Sequence, residues 1–205
     1  MGVLSNVSIH DGADGTNQLR IDNLCSAMQT IDYSHHEIHS GNSFSAYADN
    51  ATIDGSDLIL GFKTGSDAGD QASVHIVIEW ACKTSANIGL YEDAIFTLQT
   101  GSDVVIINRN RKSGNASIML QCSSDAAWTN HNSLTKNPTI AGGSDGTLLW
   151  HSHAYASKQS GLGALGRDVS EFVLAPNTVY MIRIAEDAAA NETHIGINWY
   201  EHTNM

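Results

Sequence analysis

Basic residues are scarce in this sequence, which has 10 Lys and Arg against 22 Asp and Glu and a formal net charge of -12. A protein that binds a nucleic-acid backbone presents a basic surface to the phosphates. The charge therefore argues against a nucleic-acid partner. Solubility is the ordinary explanation of an acidic surface.

Cysteine is scarce too, with three residues far apart at Cys25, Cys82 and Cys122. An odd number of widely separated cysteines argues against a disulfide framework and against a zinc site built on paired thiols. Cys82 and Cys122 each continue an apolar alternation, so we expect them to be buried free thiols.

Long apolar runs are missing. No segment has the length that a transmembrane helix needs, and residues 1–12 lack the charged start and apolar middle of a secretory signal. We therefore expect no membrane partner and synthesis in a cytoplasm.

Motifs of catalysis are missing as well. There is no GxSxG nucleophile elbow, and no cysteine lies in an electropositive or helix-terminal context that would activate it. Most carboxylates fall in turns, and DGADGTN at residues 11–17 lacks the ligand spacing of a helical calcium loop. We expect no enzymatic activity and no cofactor.

The sequence does contain many short alternating runs with Asp, Gly, Ser and Asn clusters between them. Apolar side chains recur at every second position in residues 44–48, 58–62 and 74–82. Further strand-like runs follow at 88–98, 103–110, 116–123, 146–156 and 168–175. No ten-residue amphipathic helical pattern stands out after residue 35, which disfavours a parallel-sheet architecture.

The last run, residues 178–202, predicts two strands joined by a small polar turn. Its alternating apolar positions are Tyr180, Ile182 and Ile184, then Ile195, Ile197 and Trp199. This pattern is typical of an antiparallel hairpin with one buried face, and it places Trp199 in the core. Glu201 and His202, at the predicted exposed end, are candidates for contacts with a neighbouring molecule.

Together these runs predict an all-β fold, namely an antiparallel β-sandwich with a jelly-roll-like arrangement. An immunoglobulin-like sandwich and a small cupin-type barrel are the alternatives. Residues 1–34 are expected to form a mostly irregular N-terminal arm and residues 35–205 the sandwich domain. The long loops at residues 130–146 and 157–166 are the expected places for binding.

Histidines are the candidates for a metal site. His151 and His153 lie two apart in a strand-like run and project from one face, and HHEIH at residues 35–39 adds imidazoles and a carboxylate. A cupin enzyme uses such an HxH pair, but here no acid follows soon after His153. His151 and His153 are therefore weak metal candidates, and surface histidines are the preferred interpretation.

One positive cluster, NRNRKSGN at residues 108–115, follows an apolar strand run. A solvated loop is its ordinary interpretation. Arginine at a strand end also forms bidentate pairs with the carboxylates of a partner subunit. Arg109, Arg111 and Lys112 are therefore candidates for partner contacts.

Three segments together resemble tailed-bacteriophage structural proteins of the head decoration, or cement, type. They are IDYSHHEIHSGNSFSAY at residues 31–47, the stretch from LYEDAIFTL to INRNRKSGNAS at 90–117, and the ending at 174–202 that closes on WYEH. Such proteins have an IHSG-like motif after a short arm, a central NRNR-like motif and a WYEH-like ending.

The resemblance implies a virion protein on the outer surface of the head, synthesised in the cytoplasm of the bacterial host. It implies a β-sandwich that binds the major capsid protein and stabilises the head by bridging capsid subunits, as a trimer or dimer. An acidic surface and a lack of catalytic motifs are compatible with that role.

Two other functions remain open. One is a receptor- or glycan-binding module of a head or tail fibre, with Trp128, Trp150 or Tyr155 as stacking platforms. Core positions are the ordinary interpretation of these residues, and for Trp150 it is favoured because Leu148 shares its face. The other is a cupin-like metal-dependent enzyme centred on His151 and His153.

Overall fold

A computed structural model describes residues 33–50, 56–65, 72–97, 100–120, 133–154, 162–164, 171–186 and 191–203. Four predicted features lie outside the described residues: the N-terminal arm up to residue 32, the thiols Cys25 and Cys122, the aromatic residues Trp128 and Tyr155, and most of the loop at 157–166. Contacts divide the chain into two compact units, Met1–His36 and Glu37–Met205.

The described residues form one helix and twelve strands. The helix, α1, spans Tyr33–Ser40. The strands, in chain order, are β1 Ser43–Asn50, β2 Leu58–Lys63, β3 Ala72–Cys82, β4 Ala86–Glu92, β5 Ser102–Val105, β6 Ile107–Asn108, β7 Ser133–Lys136, β8 Thr147–Ala154, β9 Leu162–Ala164, β10 Phe172–Leu174, β11 Val179–Glu186 and β12 Thr193–Thr203. No helix in this part of the chain is long and apolar enough to cross a membrane.

The strands form two antiparallel sheets that pack against each other. The first sheet has the order β10-β3-β12-β1-β6, and β9 pairs with another stretch of β3. The second sheet has the order β5-β7-β2-β11-β4-β8. The predicted all-β, antiparallel sandwich is therefore confirmed.

Alternating side chains of both sheets build the core between them. The predicted inward positions of the first two strands are all buried, namely Phe44, Ala46 and Ala48 of β1 and Leu58, Leu60 and Phe62 of β2. Cys82, at the end of β3, is buried and in no disulfide, as predicted. Full burial of a large apolar side chain stabilises the fold by about 1.5–3 kcal/mol.

The two C-terminal strands do not form the predicted hairpin. β11 pairs with β2 and β4 in the second sheet, whereas β12 pairs with β1 and β3 in the first. Both strands bury apolar side chains in one core, as Ile182 and Ile197 show. The hairpin prediction is wrong because alternation defines the buried face of a strand but not its lateral neighbours.

Strand pairing is nested along the chain. β4 pairs with β8, β3 with β9 and β10, β2 with β11, and β1 with β12. β12 also lies between β1 and β3, and β11 lies between β2 and β4. The first four strands are thus matched in reverse order by later ones, while β5, β6 and β7 extend the sheets beyond β1 and β2.

Two predicted strand runs differ in the structure, and a helix lies where the arm was predicted to meet the sandwich. The run at 103–110 is divided between the sheets, since β5 pairs with β7 and β6 pairs with β1. Residues 116–120 form only an isolated bridge, between Leu120 and Lys63. Residues 33–40, at the predicted boundary between arm and sandwich, are helical.

Loops cover part of the outer face of the second sheet. Phe96 forms an isolated bridge with Ile140, and it packs with Ala94 and Met181 in a second, smaller apolar cluster. Gly61 lies under this cover, because a Cβ there would meet the Phe96 ring at 2.9 Å. The loop at residues 130–146, which was predicted as a place for binding, therefore packs onto the sheet at Ile140.

Candidate functional site

The candidate site begins at the C-terminal end of α1, where the last carbonyl groups have no partner within the helix. The Gly41 amide donates to Ile38 O at 3.2 Å, and the Asn42 amide donates to Glu37 O at 2.9 Å. This Schellman arrangement requires the left-handed backbone that Gly41 adopts at φ 82°. The sequence IHSGN thus ends the helix and turns the chain into β1.

Three asparagines of residues 108–115, here called the basic loop, bind the same helix end. Their side-chain amides donate to successive carbonyl groups: Asn110 to His39 at 2.9 Å, Asn115 to Ser40 at 3.4 Å and Asn108 to Gly41 at 2.8 Å. Asn108 and Asn110 also accept backbone amides within the loop, which stabilises its turns. The loop is therefore fixed to the helix by its asparagines.

The end of β12 meets the same place. The Glu201 amide donates to Asn42 O at 2.9 Å, and the Arg109 amide donates to Ser43 O at 2.9 Å. The Ser43 hydroxyl donates to Trp199 O at 3.3 Å. Residues 38–43, 108–118 and 199–201 therefore form one cluster, which we call the motif junction.

Glu201 lies inside the motif junction and is only 6% exposed. Its carboxyl group accepts hydrogen bonds from the Ser117 hydroxyl at 2.5 Å, from Trp199 Nε1 at 2.8 Å and from the Ile118 amide at 3.0 Å. The prediction that Glu201 lies at an exposed end is wrong, because residues 117–118 bind its carboxyl group. The carboxyl group of Glu201 therefore joins distant parts of this chain.

Burial raises the pKa of the Glu201 carboxyl group above its ordinary value, because apolar surroundings disfavour the charged form. The hydrogen bonds from Ser117, Ile118 and Trp199 act in the opposite direction without offsetting burial. The group connects β12 to a segment 84 positions earlier in the chain.

The three basic candidates, Arg109, Arg111 and Lys112, are exposed on the basic loop. Arg109 Nη1 lies 3.5 Å from Ser43 Oγ. His39 is also exposed, next to the loop through its carbonyl bond with Asn110. Cations on a fixed backbone suit pairing with the carboxylates of another molecule, since less side-chain and loop entropy is lost on binding.

The remaining residues of the predicted C-terminal contact have different positions. Trp199 is fully buried and stacks on Phe44 with ring centroids 5.7 Å apart, so its predicted core position is confirmed. His202 pairs with Ser73 in the register of β12 and β3. The side chain of His202 lies outside the described part of the structure.

The HxH pair lies on β8, an edge strand of the second sheet. His151 is opposite Gly89 and His153 is opposite Asn87, whose Oδ1 lies 2.7 Å from His153 Nδ1. In the HHEIH segment, Glu37 is buried and accepts a hydrogen bond from Ser40. Among the described residues, no three His, Cys, Asp or Glu side chains are grouped to hold a metal ion.

Trp150 is the one predicted stacking residue that belongs to the described residues. It packs against the core and meets Phe172 edge-on at 6.3 Å, which confirms the favoured core interpretation. Leu148 does not share its face as expected, since the register shifts between Leu90 and Tyr91 and Leu148 is 49% exposed.

A second surface, which the sequence analysis did not identify, lies on the outer face of the first sheet. Tyr47 is 58% exposed and stacks on His194 with ring centroids 6.4 Å apart. His194 Nδ1 in turn lies 2.5 Å from Asp49 Oδ1. The sequence pattern of β1 could have identified this surface. Alternate residues of a strand point to opposite faces, so Tyr47 and Asp49 point outward when Ala46 and Ala48 are buried.

No protein-family model matches the chain, and neither a curated protein nor a solved structure matches it. The function is therefore inferred from the residues and their arrangement.

Proposed function

We propose that this protein is a bacteriophage head decoration protein, a non-enzymatic virion component that binds the outer surface of the head and bridges major capsid protein subunits. The observation that carries the proposal is that three motifs of the family resemblance meet at the motif junction. IHSG forms the end of α1, NRNR forms the loop bound to it, and WYEH lies at the end of β12. Motifs far apart in the sequence thereby build one structure.

Charge at the motif junction supports a contact with an acidic surface of the capsid protein. Three of the chain's 10 Lys and Arg lie within residues 109–112, although the chain as a whole carries a net charge of -12. A local positive patch on an acidic protein orients its approach to a complementary surface and disfavours other orientations.

The order of the strands is also compatible with this role. We interpret the nested pairing of β1 to β4 with later strands as jelly-roll winding, in which an antiparallel ribbon wraps around one core. Jelly rolls occur in viral capsid domains and also in lectins and cupins, so this interpretation supports the proposal without selecting it. A trimer or dimer fits a bridge between symmetric subunits.

The test uses expanded heads prepared without this protein. Purified protein is added in increasing amounts, bound protein is separated by sedimentation, and its position is determined by electron cryo-microscopy. We expect saturation at a fixed copy number related to the head symmetry and a higher temperature of head disruption. Absence of binding to the heads would refute the proposal.

The role of the basic loop is tested with the double variant Arg111→Gln and Lys112→Gln. Its affinity for heads should fall about tenfold at low salt, because about 1.4 kcal/mol of charge pairing is lost. The control variant Lys63→Gln and Lys83→Gln removes the same charge elsewhere and should bind normally. Equal losses in both variants would show that net charge, and not the basic loop, controls binding.

A further inference from the structure

The exposed ring of Tyr47 lies on the outer face of the first sheet, across from a glycine on the next strand. In the strand register, Tyr47 is opposite Gly196, and Gly196 is opposite Glu79 on the next strand. Gly196 itself contributes no side chain between Tyr47 and Glu79, but the neighbouring side chains of His194 and Glu79 lie over it. A Cβ there would come within 3.3 Å of His194 Nε2.

Two depressions that share Asp49 lie next to this surface, and we call them together with Gly196 the outer-face groove. The larger, of about 620 Å³, is lined by the ends of β1 and β3 and the start of β12, including Asp49 and His194. The smaller, of about 300 Å³, is lined by Tyr47, Asp49, Asp103 and Lys136 among others. These volumes fall within or at the lower limit of the range for small-molecule sites.

Polar groups of both hydrogen-bonding types lie on this outer face of the sheet. Asp49 and Glu79 offer carboxylate oxygens, and Asn198 and His194 add an amide and an imidazole. These groups are held in place, since Asn198 Nδ2 donates to Glu79 Oε1 at 3.2 Å and His194 contacts Asp49. Lys136 Nζ donates to the Asp49 carbonyl oxygen at the edge of the smaller depression.

Charge at the groove selects against anionic ligands. Lys83 is paired with Glu192 at 2.8 Å in the larger depression, and His194 is paired with Asp49. Glu79 and Asp103 add negative charge, so a phosphate or sulfate group would meet carboxylates there. A ligand that suits this surface carries many hydroxyl groups, no negative charge and one apolar face.

We propose that the outer-face groove binds a neutral glycan. One sugar ring lies with its C–H face on Tyr47, and its hydroxyl groups hydrogen-bond with Asp49, His194 and the Glu79–Asn198 pair. This site differs from the aromatic residues considered in the sequence analysis, and it does not depend on the proposed capsid contact.

The test is a titration of the isotopically labelled, full-length protein with five neutral trisaccharides, one each of glucose in α and β linkage, mannose, galactose and N-acetylglucosamine. Amide resonances are followed by NMR. At least one trisaccharide should shift the resonances of Tyr47, His194 and Gly196 in a saturable manner. Lack of a saturable shift with all five, at up to about 10 mM, overturns the proposal because that exceeds weak affinities of about 1 mM.

Variants then test the contact itself. Tyr47→Ala should weaken binding about tenfold, equivalent to about 1.4 kcal/mol, whereas Tyr47→Phe should keep most of the affinity because the ring remains. Val173→Ala is the matched control, since Val173 is 61% exposed at β10 of the same sheet. Thermal unfolding checks that each variant is folded. Unchanged affinity in folded Tyr47→Ala would overturn the proposal.

Discussion

Glu201 places a carboxyl group among donors from two distant parts of the chain. The Ser117 hydroxyl, the Ile118 amide and Trp199 Nε1 all donate to it. If the carboxyl group were removed, these buried donors would lose their acceptor, at a cost of about 1–3 kcal/mol for each unsatisfied group. We therefore expect the contribution of Glu201 to depend on hydrogen bonding more than on its charge.

The first prediction concerns pH. Because the pKa of Glu201 is raised in the folded protein, the folded state holds the proton more tightly than the unfolded chain does. The stability that this group contributes is fully present below its unfolded pKa and is lost as the pH rises through its folded pKa. Glutamine at position 201 keeps an acceptor and a donor but does not titrate. In Glu201→Gln, the decrease in the free energy of unfolding that Glu201 causes as the pH rises should therefore be absent.

Urea unfolding at a series of pH values measures the free energy of unfolding for this comparison. Glu79→Gln, which changes an exposed carboxylate on the same sheet, is the control and should follow the wild-type profile. Parallel profiles for wild type and Glu201→Gln would contradict the prediction. Glu201→Ala should lose about 3 kcal/mol near neutral pH, since its donors have no replacement acceptor.

The alternating pattern of β12 predicts which of its residues are buried, but not the partners of a buried polar residue. The alternation of Ile195, Ile197 and Trp199 predicted their burial correctly, and Glu201 continues the same phase two residues later. The pattern therefore placed Glu201 inward, although its charge suggested an exposed position. Its burial also needs Ser117, which is 84 positions away, and no local pattern contains that partner.

At the scale of elements, the end of α1 and the basic loop form one structure. Gly41 combines a positive φ with close packing, since a Cβ at this position would overlap Ser113 Oγ. A Cβ at Gly114 in the same loop would have no atom within 4 Å apart from those of Gly114 and its two chain neighbours. Alanine variants at these two positions can therefore be compared, since both add a methyl group but only the one at Gly41 disturbs the turn.

We predict that Gly41→Ala lowers the free energy of unfolding by about 2 kcal/mol, because alanine is strained at positive φ and displaces Ser113. Gly114→Ala should change it by less than about 0.5 kcal/mol. Urea unfolding measures both values, and faster amide exchange at Ser113 in Gly41→Ala would locate the effect. Equal costs for the two variants would contradict this account.

Elements with a regular period were predictable and irregular ones were not. β1, β2 and β3 have clear alternation, and their buried faces were predicted correctly. The run at 103–110 has consecutive apolar residues in place of alternation. The local sequence therefore did not indicate that the chain passes from the second sheet at β5 to the first sheet at β6. α1 is too short for a periodic pattern to develop, and the asparagines of the basic loop have partners some 70 positions away.

At the scale of the whole molecule, both sheets depend on one core. β12 is flanked on both sides, by β1 and β3, and the side chains of Ile197 and Trp199 pack in the cluster that also contains Leu60 and Ile182 of the other sheet. A sheet of this sandwich cannot separate from the other without exposing that cluster. We therefore expect the two sheets to unfold together.

The third prediction follows from this shared core. Urea transitions followed by far-ultraviolet circular dichroism and by tryptophan fluorescence should coincide, since Trp80 and Trp199 lie in the first sheet and Trp150 lies in the second. Ile197→Ala should shift both transitions equally, by about 3 kcal/mol. Asn198→Ala, on the outer face of the same strand, should have a small effect. Two separate transitions would contradict the prediction.

The nested pairing has a consequence for synthesis on the ribosome. β1 and β3 are made early, but they are not neighbours in the finished sheet, because β12 fills the space between them. Until β12 emerges, each keeps a strand edge that can pair with another nascent chain. The sandwich therefore closes only after β12 is made, and a chaperone that shields those edges would raise the yield of folded protein.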